Sequence, residues 1–401
     1  MTSSINPRPI HNAMSHTPFN FSRIGIIGAG MMGAGIAFEA AKAGIQVLLK
    51  DVTIEQAQQG KSYSERVCLK LIELGKMQAE QMAPLLANIH PVADYDTFHD
   101  LDMIVEAVFE DMDLKKTVIE ASQSGLRPGA FFASNTTSLL ISELAESSQD
   151  PTNFIGMHFF SPVDRMKLVE IIRGKETSPQ TVEKATQLAH ILGKTVIVVN
   201  DGPGFYTSRV FFNYLLEAIS MLLEGIPAEM IEAEARQAGF GASPLAVLDE
   251  ISLPLMLHVY DQLPSLSNSQ RRAYRYLETL IAQGRSGRKT GKGFYNYGES
   301  KALWKDPTLP TSAPLIDEGT IAKRLLHVMA LDSYRCLKEG ILDSTSDGDT
   351  GSILGIGYPR HTGGVFQHID QVGLPQFVQE CEQFADKGEQ WEIPDSLRER
   401  G

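Results

Sequence analysis

The chain has 401 residues, too many for one compact core and enough for two or three domains. Its 43% apolar and 21% charged content is that of a globular protein, and no apolar run reaches the roughly 18 residues that a membrane span needs. A formal net charge of −13 argues against a nucleic-acid track, and three scattered cysteines argue against a disulfide framework or a metal site; a cytoplasmic, reducing compartment is expected.

Residues 1–21 mix Ser, Asn, His and Pro without an apolar stretch, which predicts a flexible tail rather than a targeting signal. Arg23 to Gly28 then reads as a strand that runs straight into Gly28-Ala29-Gly30-Met31-Met32-Gly33, with a helix following. That context makes the motif a dinucleotide loop. The first glycine permits a tight turn, the second lets a pyrophosphate approach the backbone, and the third lets helix and strand pack closely, while the helix N-terminus attracts phosphate. The next strand, Ile45 to Asp51, ends on a carboxylate placed to bind the adenine ribose and to repel a 2′-phosphate, so NAD is the expected cofactor rather than NADP.

A helical excursion after Asp51 carries Lys61, Ser64, Arg66 and Lys70. Strands are predicted at Met103 to Val108, Ala130 to Asn135, Asn153 to Phe159, Leu168 to Ile172 and Thr195 to Asn200, with a helix from Ser178 to Leu192. Strands and helices alternating in this way predict a parallel, doubly wound sheet. The NAD-binding domain is placed at 22–200. His158 ends one strand and Glu170 sits on the segment that returns after Ser161-Pro162-Val163-Asp164-Arg165. A histidine is suited to taking the proton of an alcohol, and a carboxylate on a neighbouring strand would fix its tautomer.

Beyond Asp201-Gly202-Pro203-Gly204 the pattern turns helical, beginning with Phe205 to Leu223. Leu223-Glu224-Gly225-Ile226 is echoed by Leu337-Lys338-Glu339-Gly340-Ile341, and Leu245 to Leu253 by Gly364 to Leu374, each closing on Leu-Pro. Two related helical units are predicted, at 201–298 and 319–401, joined by a proline-containing linker at 299–318. The fold class is therefore α/β followed by all-α.

Ser134-Asn135-Thr136-Thr137-Ser138, His158-Phe159-Phe160-Ser161-Pro162-Val163, Val169-Glu170 and Pro203-Gly204-Phe205 together resemble the L-3-hydroxyacyl-CoA dehydrogenase family, from about Ser22 to past Gly373. Asp201 to Tyr206 and Gly287 to Tyr295 resemble most the dehydrogenase half of its multifunctional fatty-acid β-oxidation members, with no hydratase half expected ahead of the NAD fold. The resemblance implies oxidation of 3-hydroxyacyl-CoA to 3-oxoacyl-CoA, with His158 as base, Glu170 orienting it, and hydride passing from C3 to NAD. Thr137 and Ser161 would hold the reacting oxygen. Thr137 stands where the family often has Ser, while Ser161 and Ser208 stand where short members have Asn. Glu110, Lys115 and Lys289 would lie near the cofactor, and Ser64 and Lys70 near the CoA nucleotide, although helical spacing also fits a solvated face there. The alternatives are another β-hydroxy-acid dehydrogenase, commonly with a catalytic lysine, or a non-catalytic NAD-binding scaffold. Because single-unit relatives pair through the helical unit, a second unit implies a monomer or weak homodimer, with hydratase or thiolase as expected associates and acyl-CoA as substrate.

Overall fold

The computed structural model describes residues 19–261, 265–310 and 315–399. Most of the expected flexible tail, residues 1–18, lies outside the described residues. Phe19 to Phe21 belong to the folded part: the Phe19 amide donates to Gln187 at 3.0 Å, and the buried Phe21 ring meets Phe131 edge-on.

The first half is built from β1 (Arg23–Ile27), α1 (Met31–Lys42), β2 (Gln46–Lys50), α2 (Ile54–Glu73), α3 (Met82–Ala87), β3 (Ile89–Val92), β4 (Leu101–Glu106), α4 (Met112–Ser122), β5 (Leu126–Ser134), α5 (Ile141–Ala145), β6 (Phe154–Phe159), β7 (Leu168–Arg173), α6 (Pro179–Ile191) and β8 (Thr195–Asn200). Its eight strands form one sheet in the order β3-β2-β1-β4-β5-β6-β7-β8. Central strands such as β4 and β6 are buried along their whole length, as strands covered on both faces must be. The order reverses between β1 and β4, and the glycine loop leaves β1 at that point, where the crevice of an open α/β sheet takes its ligand.

Two features depart from the sequence reading. The sheet is not wholly parallel, because β6 and β7 pair antiparallel and carry β8 with them. The strand β3, Ile89-His90-Pro91-Val92, was not anticipated. It is four residues long and contains proline, which is tolerated because the strand lies at the sheet's edge.

The second half is helical: α7 (Thr207–Leu223), α8 (Ala228–Gln237), α9 (Pro244–Ile251), α10 (Leu253–Asp261), α11 (Asn268–Ala282), then α12 (Thr320–Lys338), α13 (Thr345–Gly355), α14 (Val365–Val372), α15 (Leu374–Glu382) and α16 (Asp395–Arg398). Between the two sets runs a small hairpin, β9 (Tyr295–Tyr297) with β10 (Lys301–Leu303), so the segment expected as a linker opens as a strand. Its prolines and polar residues masked an anchor, Trp304, whose ring stacks on the buried Arg285 guanidinium at 4.0 Å.

The helical half is internally two-fold. Arg209 on α7 pairs with Asp332 on α12 and with Glu339 just past its end, while Arg324 on α12 pairs with Glu217 on α7 and with Glu224 just past its end; each partner is displaced by the same sequence offset. Glu232 on α8 caps the start of α9 through the Leu245 amide, as Asp349 on α13 caps α14 through the Phe366 amide. Gly241 and Gly357 meet backbone to backbone at the centre. The second set then covers the open edge of the sheet, with α13 against β7 and β8 and Leu342 bridged to Val199.

Candidate active site

The glycine loop is shaped by contacts that exclude side chains. Gly28 has φ of +92°, and a Cβ there would meet the Ala107 carbonyl oxygen at 2.6 Å; a Cβ on Gly33 would meet the Gly28 oxygen at 1.8 Å. Gly30 differs, since a Cβ on it would meet nothing within 4 Å. Open space faces the α1 N-terminus there, and no side chain caps that helix, so its first amides are left to a ligand. The Asp51 carboxylate at the end of β2 accepts from the Ala29 amide at 2.7 Å and from Val52 at 2.7 Å. Around this crevice lie unusually exposed apolar side chains: Met31 at 61%, Val52 at 80% and Phe109 at 87%. These residues fit a dinucleotide with two flat rings.

His158 and Glu170 face each other directly across the antiparallel β6–β7 pair. Their side chains meet with Nδ1 to Oε2 at 2.9 Å, the histidine 7% exposed and the glutamate sealed. Glu170 is held by more than the histidine. Its Oε1 accepts from the amides of Tyr206 at 3.1 Å and Thr207 at 3.0 Å, and its Oε2 from the Thr207 hydroxyl at 2.5 Å. The carboxylate thus sits on the N-terminus of α7, where the helix dipole and two free amides favour negative charge. With Nδ1–H donating to a carboxylate so held, Nε2 carries the free lone pair. The Phe160 ring lies 4.5 Å from the imidazole and Phe205 6.3 Å, limiting water around it.

The strand ends are tied together beside this pair. Lys115, fully buried on α4, meets Glu106 at 2.8 Å and the Asn135 carbonyl at 3.3 Å, and the Ser134 hydroxyl donates to the same Glu106 carboxylate. Burial pushes the Glu106 carboxyl up, and the Lys115 ammonium beside it pulls the other way. Glu110 gathers the following loop: its Oε1 accepts from the Thr136 hydroxyl at 2.7 Å and from the amides of Thr137 at 2.7 Å and Ser138 at 2.9 Å. Asn135 Oδ1 accepts from the Phe159 amide at 3.0 Å, joining that loop to the histidine strand. After the strand, the exposed Ser161 hydroxyl donates to Met31 Sδ at 3.5 Å, which brings the histidine turn against the glycine loop.

Comparison with known proteins fits this geometry. The family description "3-hydroxyacyl-CoA dehydrogenase, NAD binding domain" matches residues 23–202, and "3-hydroxyacyl-CoA dehydrogenase, C-terminal domain" matches 204–297. The chain is 34% identical to the solved (S)-3-hydroxybutyryl-CoA dehydrogenase from Ralstonia eutropha, covering 70% of this chain and 100% of that one with a TM-score of 0.65. The chain belongs to the 3-hydroxyacyl-CoA dehydrogenase family.

A second relative of that family, the fatty acid oxidation complex subunit alpha of Vibrio campbellii, is 35% identical over 97% of this chain and 56% of its own length. The chain thus spans about half the length of the curated relatives it matches. The solved 3-hydroxybutyryl-CoA dehydrogenase from Escherichia coli, at 24% identity and a TM-score of 0.80, shares the fold over 95% of this chain and 98% of that one. An NAD-binding domain of this dehydrogenase family is therefore followed by a C-terminal domain of the same family within a helix-rich second half.

Gly28, Ala29, Gly30, Met31, Met32 and Gly33 form the turn from β1 into α1, and Asp51 is tied to it through the Ala29 amide; His158 is paired with Glu170, Ser161 lies against Met31, Thr137 is on the loop held by Glu110, and Ser208 is buried in the first turn of α7. Lys115, expected to offer charge to the cofactor, is wholly buried, bonded to Glu106 and 3.8 Å from the Glu110 carboxylate. Ser64, expected near the CoA nucleotide, is buried. It belongs to the buried stripe Ala57, Gly60, Ser64 and Cys68 on the inner face of α2, so its hydroxyl does not reach solvent, whereas Arg66 and Lys70 stand exposed on the outer face and Lys61 ties α2 to the Ile89 carbonyl. Lys289 is exposed on the turn after Gly287, and no described contact brings it to the crevice. Glu106, Asn135, Tyr206 and Thr207 were not singled out. Asn135 and Tyr206 stand inside motifs named above, but no role is assigned to either there, and Glu106 and Thr207 act across elements distant in sequence.

Proposed function

We propose that this protein interconverts L-3-hydroxyacyl-CoA and 3-oxoacyl-CoA using NAD, with His158 as base and Glu170 as its orienting partner. The observation that carries the reading is the sealed His158–Glu170 pair, capped by α7 and set against the glycine loop through Ser161 and Met31. Gly28 to Gly33 would hold the pyrophosphate, Asp51 the adenine ribose, and Val52 and Phe109 would flank the rings. NAD, when bound, supplies the two-electron acceptor. The protein's part is positioning and proton transfer: His158 Nε2 takes the hydroxyl proton, Glu170 stabilises the imidazolium, and Thr137 and Ser161 orient the reacting oxygen, with Ser208 nearby on α7. The short hydroxyls of Thr137, Ser161 and Ser208 leave room for water or a different acyl pose. Exposed Lys70 on α2 is the remaining candidate for the CoA phosphates, and Glu110 acts by fixing the Thr137 loop.

The helical units at 201–298 and 319–401 pair with each other within one chain, which supports a monomer or weak dimer; acyl-CoA as substrate, hydratase or thiolase as associates and a cytoplasmic location belong to the same proposal. No described helix is long and apolar enough to cross a membrane. Assay of NADH oxidation with acetoacetyl-CoA, extended to longer and dicarboxylic acyl chains, tests the substrate. Turnover with NADH well ahead of NADPH is expected; activity only on free β-hydroxy acids would transfer the reading to the wider β-hydroxy-acid dehydrogenases, and no turnover at all would leave a scaffold.

A further inference from the structure

We infer that Tyr206 is a positioning residue through which the second helical unit holds the His158–Glu170 pair in register; this rests on the dehydrogenase reading above. The backbone amide of Tyr206 donates to Glu170 Oε1 at 3.1 Å, but its side chain points away from the site. The ring is fully buried, and its hydroxyl donates to the Gly348 carbonyl at 2.8 Å and lies 3.2 Å from the Ser333 hydroxyl, on α13 and α12 respectively. One residue therefore touches the Glu170 carboxylate with its main chain and the second unit with its side chain.

The backbone at this point needs such a hold. Phe205, immediately before it, has φ of +50°, a left-handed conformation that is strained for an aromatic residue and persists only where its surroundings impose it. Its ring packs near His158. Relaxation of Phe205 would swing the Tyr206 and Thr207 amides off Glu170. Against that stand the Tyr206 hydroxyl and a close steric fit, because Gly351 of α13 passes the ring with no room for a methyl: a Cβ there would meet Tyr206 Cε1 at 2.9 Å and Ile197 Cδ1 at 2.8 Å. Farther along the same face, Arg209 and Asn213 of α7 bind Asp332 without touching the pair.

Tyr206→Phe deletes the hydroxyl, Gly351→Ala presses on the ring from the second unit, and Asn213→Ala loosens the same interface elsewhere. With acetoacetyl-CoA and NADH, Tyr206→Phe and Gly351→Ala are expected to lower kcat about tenfold with both KM values within about twofold, since displacement of a catalytic group by a fraction of an ångström costs rate rather than binding. Asn213→Ala should keep wild-type kcat. A kcat unchanged in Tyr206→Phe, or lowered equally in Asn213→Ala, would overturn the proposal. A readout independent of turnover separates this from the dehydrogenase reading: the downfield proton resonance of His158 Nδ1–H, assigned by its absence in His158→Ala, should shift in Tyr206→Phe and stay in Asn213→Ala. If that signal behaves so while the wild type turns over no acyl-CoA, the substrate reading fails and the positioning role stands; an unmoved signal in Tyr206→Phe removes the positioning role.

Discussion

At the residue scale, the site divides into groups that do chemistry and groups that hold them. Thr207 belongs to the second kind. Its hydroxyl is one of four donors on a sealed carboxylate, and Thr207→Val would leave that charge short of one bond, costing about 1.5–3 kcal/mol of stability by urea unfolding together with a fall in kcat. Gly30 offers a cleaner test of the cofactor loop. Because a methyl there meets only open space, Gly30→Ala should fold with an unchanged melting temperature yet bind NADH at least about tenfold more weakly by fluorescence titration, the added group standing where the pyrophosphate lies. Equal affinity would return the loop to a plain glycine turn. The same scale shows what sequence can carry. Gly28 to Gly33, Asp51, His158 and Glu170 were readable because each sits at a fixed place on a strand end or turn. Tyr206 and Thr207 were not, since their role depends on α7 arriving over β7 from 36 positions away.

At the element scale, the alternation of apolar strands with amphipathic helices located seven of the eight strands, and the one missed, β3, is a short proline-containing edge. The change of direction at β7 was foreshadowed by the tight Ser161–Arg165 turn, too short for a crossover to a parallel neighbour. The duplicated helices were visible as a weak echo, and the reciprocal Arg209 and Arg324 clusters give it a physical basis. These clusters are not equivalent in strength. Asp332 is pushed up by burial but held below the usual carboxylate range by Arg209 and Arg335, whereas Glu217 has Arg324 as its one guanidinium partner among the described residues and burial still pushes it up. Arg324→Met should therefore cost about 3–5 kcal/mol, and Arg209→Met clearly less, by urea unfolding.

A further element-scale expectation concerns acid. On α12, α14 and α15, His327 donates to Glu380 at 2.8 Å and lies 3.2 Å from His368. Burial takes both histidines down to about 4, with the attraction of Glu380 offsetting only part of it because Lys323 already balances that carboxylate. Glu380 itself is pushed up by burial but brought to about 2 by hydrogen bonds from Lys323, Gln376 and His327. The histidines titrate lower when folded, so the unfolded chain takes up protons first and stability falls as pH drops from about 6.5 toward 4; Glu380 adds a loss below about 4.5. Urea midpoints should decline across that window, and His327→Gln should flatten the upper part of the decline. A midpoint independent of pH there would contradict the neutral histidine pair.

At the scale of the whole molecule, the second helical unit performs three tasks at once. It covers the free edge of the sheet, it pairs with the first unit, and it grips Tyr206. On the proposal that this internal pairing takes the place of pairing between subunits, sedimentation at micromolar concentration should show a monomer or a weakly associating dimer; a tight dimer through the helices would contradict it. The buried His158–Glu170 pair is proposed to carry the oxidation of a 3-hydroxyacyl-CoA. The most direct test is a single-turnover measurement of NADH oxidation by acetoacetyl-CoA in the wild type and in His158→Ala. The account predicts rapid turnover in the wild type and a loss of about 100-fold or more in the variant with NADH binding retained; equal rates in the two, with binding intact in both, would contradict it.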